Sequence, residues 1–238
     1  MNVNWLGAWQ ALIHHPLFGV GITLAVYQLA LAAYERSRWV MLQPVLVSMV
    51  GIIAILLACG LSYAEYRKST ETMTVLLGPA TVALAVPLFL NLRRIRLLFW
   101  PIVITLAVAG VFATACGVAL AWLFGAERQI LMTLAPKSVT SPIAMLVAEQ
   151  IGGVAALAAV FVMITGVIGA IVGPSLLRLV GVRSAAAQGM ALGLTAHAVG
   201  TARALQESDE AGAFAALGMS LMGVASAVFL PLAVAIVS

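Results

Sequence analysis

Long uncharged apolar runs separated by short charged clusters set the pattern of the chain. Met1 to Tyr34, Trp39 to Ala64, Leu97 to Ala126, Ile151 to Leu177 and Ala211 to Ser238 contain no Asp, Glu, Lys or Arg. Each exceeds the ~20 residues that a helix rising ~1.5 Å per residue needs to cross ~30 Å of hydrocarbon. The runs are apolar on every face, whereas strands of a membrane barrel alternate apolar and polar positions over segments of ~10 residues. The pattern therefore predicts an all-α, polytopic transmembrane protein. Regular spans are expected over Pro16–Tyr34, Trp39–Ser62, Leu97–Phe124, Ile151–Leu177 and Ala213–Val237.

Three further segments are apolar but interrupted. Thr72–Leu92 carries Gly78-Pro79 and Pro87; Pro79 lacks an N–H, and Pro87 would strike the carbonyl of Ala83 in a continuous helix, so a break is expected. Gln129–Ala148 holds Pro136, Lys137, Ser138, Thr140, Ser141 and Pro142, a poor composition for a lipid-facing helix. Ser184–Gln206 combines Gly189, Gly193, His197, Gly200, Thr201 and Arg203, which fits an interrupted or closely packed membrane helix. About seven or eight membrane segments result, two or more of them broken or re-entrant. Residues 1–238 read as a single integral membrane domain.

Composition agrees with this picture: mean hydropathy is +1.13, 63% of residues are hydrophobic and 8% are charged, against roughly 25% charged in soluble domains. The net charge of +4 comes from clusters between spans, which suits topology control and excludes a nucleic-acid partner. Placing Arg36, Arg38, Arg93, Arg94, Arg96, Arg178 and Arg183 in the cytoplasm puts the N-terminus outside. The first stretch has no basic residue ahead of its apolar part and reads as an interfacial lead-in rather than a cleaved signal peptide. Cys59 and Cys116 fall inside spans and read as small buried hydrophobes. Enzyme motifs, metal-spaced ligand sets and cofactor loops are absent from the sequence, so neither catalysis nor a cofactor is expected.

The interrupted segments carry the chemistry. Gly78-Pro79-Ala80-Thr81-Val82 and Ala135-Pro136-Lys137-Ser138-Val139 share an outline, small residue, proline, variable position, hydroxyl residue, valine, as duplication would leave, with repeat units around 39–96 and 97–177. Paired broken helices near the membrane midplane mark inverted-repeat secondary transporters, and their half-helix N-termini attract anions. Gly78, Pro79 and Thr81 with Pro136, Lys137, Ser138, Thr140 and Ser141 are the resulting candidates for binding a small carboxylate. Lys137 is either that anion's cation or a lysine snorkelling to the membrane edge. The hydroxyls are either donors to substrate or bonded back onto their own helices.

His197 and Thr201 share a helical face, with Arg203 further on. His197 either contacts substrate or carries a coupling proton, or is a structural histidine bonded to a neighbouring helix. Arg203 is either an anion ligand or an interfacial arginine facing Glu207. Glu149 either pairs with Lys137 or caps a membrane segment.

Three motifs in order, Leu77-Gly78-Pro79-Ala80-Thr81-Val82-Ala83-Leu84-Ala85-Val86-Pro87-Leu88, Pro136-Lys137-Ser138-Val139-Thr140-Ser141-Pro142-Ile143-Ala144 and His197-Ala198-Val199-Gly200-Thr201-Ala202-Arg203-Ala204, resemble the LrgB/CidB family. Gly152-Gly153, Thr165-Gly166-Val167, Gly169, Gly173-Pro174 and Gly212-Ala213-Phe214 extend the likeness over nearly the whole chain, while Gln206 stands where the pattern leads to an acidic residue. The resemblance implies a multi-pass protein of the bacterial inner membrane with two alternative roles. One is a carrier of small monocarboxylates of the pyruvate, glycolate or glycerate type, related to the plastid glycolate/glycerate transporter and built as an inverted repeat. The other is a holin- or antiholin-associated protein that modulates murein hydrolase activity and autolysis with a small LrgA/CidA-type membrane partner. A homo-oligomer suits either.

Overall fold

The computed structural model describes residues 5–37, 39, 42–83 and 85–237. Arg38, used above for orientation, and Leu84, within the first interrupted segment, lie outside the described residues. All regular structure among the described residues is helical, in two compact units, Met1–Ala83 and Leu84–Ser238.

The first unit contains α1 (Trp5–Ile13), α2 (Phe18–Ser37), α3 (Pro44–Cys59), α4 (Tyr63–Ser69) and α5 (Glu71–Ala83). Helix α3 starts later than its apolar run because Pro44 occupies its first turn, where no backbone donor is needed. It stops at Gly60, whose φ of 66° lets the chain turn back while the Gly60 and Leu61 N–H groups bond the carbonyls of Leu57 and Leu56. The chain then bends by 115° into α4. A reciprocal cap starts that helix: Ser62 Oγ accepts from the Glu65 N–H at 3.3 Å, and the Glu65 carboxylate accepts from the Ser62 N–H at 2.9 Å. The Thr23 and Tyr66 hydroxyls share a 2.8 Å bond that ties α2 to α4.

The described parts of the first interrupted segment are helical on both sides of Leu84, up to Ala83 and from Ala85 onward. Pro79 runs inside α5 and removes one intrahelical bond without ending it.

The second unit contains α6 (Ala85–Leu90), α7 (Leu92–Leu97), α8 (Phe99–Leu123), α9 (Arg128–Leu134), α10 (Ser141–Gln150), α11 (Ala155–Leu179), α12 (Ala185–Glu207) and α13 (Asp209–Val237). Its core joins Val139, Ala144, Ala148, Ala158, Val162, Met190, Leu194 and Phe214, side chains from α10, α11, α12, α13 and the link before α10. Helices α12 and α13 touch along glycine faces: a Cβ on Gly189 or Gly193 would collide with the carbonyl oxygen of Ala211 or Ala215. Small residues bring backbones this close where lipid supplies no hydrophobic drive between helices.

Among the described residues four helices, α2, α8, α11 and α13, are long and apolar enough to cross a membrane, or five if the bent α3–α4 pair is one span. Their exteriors are correspondingly apolar, with Leu57, Val111, Phe112, Trp122, Ile168 and Phe229 all exposed. The structure is thus that of a polytopic membrane helical protein.

Candidate functional site

Neither α9, of 7 residues, nor α10, of 10, can cross a bilayer, at ~1.5 Å per residue. The chain between them turns through residues 135–140 and buries Pro136, Ser138 and Val139. Proline and a β-branched N-cap account for the turn: Thr140 is extended (φ −68°, ψ 148°), and Pro142 sits in the first turn of α10. The other end of α10 is closed by a glycine motif. The Gly152 N–H bonds the Glu149 carbonyl, the Gly153 N–H bonds the Ala148 carbonyl at 2.7 Å, and Gly152 has φ 86°.

Thr133, fully buried, fastens this loop to α9: its hydroxyl donates to the Gln129 carbonyl at 2.6 Å and accepts from the Val154 N–H at 2.9 Å. A Cβ on Gly153 would lie 2.8 Å from the Thr133 backbone nitrogen, so only glycine fits there.

Lys137 is half-buried and stretches from the turn to α8, where its ammonium donates to the Ala113 carbonyl at 2.8 Å. Ala113 lies well inside a 25-residue apolar helix. Among the described residues no carboxylate lies within 4.0 Å of the ammonium. Glu149 is exposed at the far end of α10.

The second break is in α12. His197 has φ 43° and ψ −129°, so the helix is interrupted there although its hydrogen bonding resumes at once. These angles match the first central position of a type II′ turn, which glycine normally occupies. The ring is buried and bonds the Val162 carbonyl of α11 at 2.9 Å through Nε2. A carbonyl can only accept, so Nε2 carries the hydrogen. Thr201 is also buried, and its hydroxyl donates to the His197 carbonyl at 2.8 Å, satisfying a group freed by the break.

The residue two past Lys137, Val139, and the acceptor of His197, Val162, belong to one core, while Lys137 itself docks on α8 and His197 on α11. Arg203 pairs with Glu207 one turn on and contacts Gln206 at 3.3 Å. Gly78, Pro79 and Thr81 belong to α5 in the other unit. Pro79 is exposed, and the surroundings of Gly78 and Thr81 lie outside the described residues. Sequence reasoning missed Thr133 and the two carbonyl acceptors. A hydroxyl residue in an apolar helix is a signal for the first; a main-chain acceptor leaves none.

The first unit holds a separate cavity of about 320 Å³ lined by His14, His15, Glu65, Tyr66, Lys68 and Glu71 among others. His14 Nδ1 lies 3.6 Å from the Glu65 carboxylate. Two main-chain and hydroxyl bonds, first from the Ser62 N–H and then from its Oγ, hold the Glu65 carboxyl below the usual carboxylate range. Among the described residues no group of three His, Cys, Asp or Glu could hold a metal ion.

Comparison with known proteins shows the family of the chain. The model of the LrgB-like family matches residues 23–236. A holin-like protein CidB of Staphylococcus epidermidis is 34% identical over 211 residues, 88% of this chain and 92% of that protein. The uncharacterized protein YxaC of Bacillus subtilis is 36% identical over 213 residues, 90% of this chain and 93% of its own length. A holin-like protein CidB of Staphylococcus aureus is 33% identical over 216 residues, 88% and 92% of the two chains. No solved structure matches.

Proposed function

The chain belongs to the LrgB-like family, and from that premise we propose that it acts in the bacterial inner membrane as a holin-like protein of the CidB kind. In that role it modulates murein hydrolase activity and autolysis beside a small LrgA/CidA-type membrane partner. The observation that carries this reading is the similarity to holin-like CidB proteins along 88% of the chain.

A second reading is favoured by the two breaks of the second unit. In it the protein carries small monocarboxylates of the pyruvate, glycolate or glycerate type. Lys137 supplies the cation, Ser138, Thr140 and Ser141 the hydroxyls, and His197, Thr201 and Arg203 the second broken helix; Gly78, Pro79 and Thr81 are the corresponding substrate-binding motif of the other repeat. The reading takes 1–238 as one integral membrane domain of seven or eight segments, with 39–96 and 97–177 as its repeats. Its support is Lys137: a lysine at membrane depth costs several kcal/mol unless paired or hydrated, and here it meets a neutral carbonyl and, among the described residues, no carboxylate.

Uptake of radiolabelled pyruvate into liposomes holding the purified protein separates the two. The holin-like reading expects no saturable uptake from the protein alone, together with an altered autolysis rate in cells lacking the gene that Lys137→Ala restores as well as the wild type. The carrier reading expects saturable uptake, competed by glycolate and glycerate and abolished by Lys137→Ala.

A further inference from the structure

Both breaks are moored by the same device, on two different spans. Lys137 donates to the Ala113 carbonyl, and one turn further along α8 stands Gly117. A Cβ there would lie 2.7 Å from Lys137 Nζ and 2.8 Å from its Cε. His197 donates to the Val162 carbonyl, and one turn further along α11 stands Gly166. A Cβ there would lie 2.7 Å from His197 Nε2 and 2.6 Å from its Cε1.

In each case the polar side chain lies in the slot left by a missing Cβ and reaches the carbonyl at the slot's end. That carbonyl already accepts the helical N–H of the glycine itself. Its second lone pair takes the side chain.

We infer that Gly117 and Gly166 are positioning residues, each leaving the slot through which Lys137 or His197 docks its break onto a mid-span carbonyl. Resting on the carrier reading, one consequence follows for Lys137. An ionised carboxylate is a stronger acceptor for an ammonium than a neutral carbonyl that is already bonded. An arriving monocarboxylate therefore takes Lys137 from Ala113 and releases the α9–α10 turn from α8.

The glycine role is tested without transport by a double-mutant cycle on the unfolding temperature of the detergent-purified protein. Gly117→Ala lowers it in the wild-type background and no longer lowers it when Lys137→Ala has removed the side chain that fills the slot, where alanine's better helix propensity raises it instead. Gly166→Ala, whose Cβ would also lie 3.1 Å from Val199 Cγ2, lowers it less with His197→Ala than without. An equal loss in both backgrounds overturns the inference, because the glycine would then be packing against something else.

Should a double variant fail to fold, reductive [13C]methylation gives a second measurement. Lys68 and Lys137 are the only lysines in the sequence, so Lys68→Arg leaves one lysine signal. Gly117→Ala moves that signal, whereas Gly110→Ala, on the same helix but facing Met222, leaves it in place. Movement by both or by neither overturns the inference.

Pyruvate added to the labelled protein moves the same signal if the anion displaces Ala113. A positive cycle with no pyruvate response and no uptake keeps the positioning role and removes the carrier reading. A null cycle with competed uptake does the reverse.

Discussion

Replacing His197 by glycine and by alanine gives two variants that lose the same ring and the same bond to Val162, so the difference between them isolates the backbone. At an ordinary helix-interior position glycine is about 1 kcal/mol less stable than alanine. At φ 43° and ψ −129° the order reverses, because an L-residue held in such a region stores about 1–3 kcal/mol and glycine stores almost none. Loss of the hydrogen bond costs each variant about 1 kcal/mol, with a cavity term common to both. His197→Gly is thus expected to be more stable than His197→Ala by about 1–3 kcal/mol. Denaturation in mixed micelles followed by far-UV circular dichroism measures both on one scale. Alanine exceeding glycine by about 1 kcal/mol, as in a regular helix, would refute the break at His197.

Three further outcomes test the scaffold around the breaks. Thr133→Val keeps the volume but takes the acceptor from the part-buried Val154 N–H, so unfolding free energy should fall by about 1 kcal/mol; no loss at all would place water at that donor. Gly189→Ala and Gly193→Ala push a methyl into the backbone carbonyls of Ala211 and Ala215, where no side chain can yield. Both should destabilise by more than about 2 kcal/mol, while Gly21→Ala, which meets nothing within 4 Å, should not. Glu65 lies outside the spans and has a lowered folded pKa. Its cap on α4 is complete above the ordinary carboxylate pKa of ~4.3 and is lost as pH falls through the lower folded value. An NMR titration should show Glu65 returning toward the ordinary range in Ser62→Ala, and no movement in that variant would contradict the capping box.

The apolar runs alone place α2, α8, α11 and α13 within a few residues, because in lipid every backbone bond must close inside the segment and an uncharged run of that length has no other structure. Breaks were legible as composition but not as coordinates. Pro79 and Pro87 both announce an interruption in one segment, yet α5 runs through the first. A missing donor costs a helix one bond, which its neighbours can absorb. At His197 nothing local signals the break, since histidine is an unusual occupant of a glycine-like conformation.

What holds each break in place was the least visible of all, because both acceptors are main-chain carbonyls of regular helices. Any residue at position 113 or 162 supplies the same oxygen, so Ala113 and Val162 carry no trace of the role. The trace lies one turn later, in the residue that must be absent in volume for the oxygen to be reached. Gly117 and Gly166 look in the sequence like ordinary small residues of closely packed spans, and Gly166 does form part of a glycine-bearing face. Only the direction of Lys137 and His197 turns those two glycines from packing residues into slots. For a buried polar group in an apolar helical protein, therefore, a search for a complementary side chain looks in the wrong place. The economical partner is a carbonyl already present every residue, and the glycine that uncovers it is the residue whose substitution is informative.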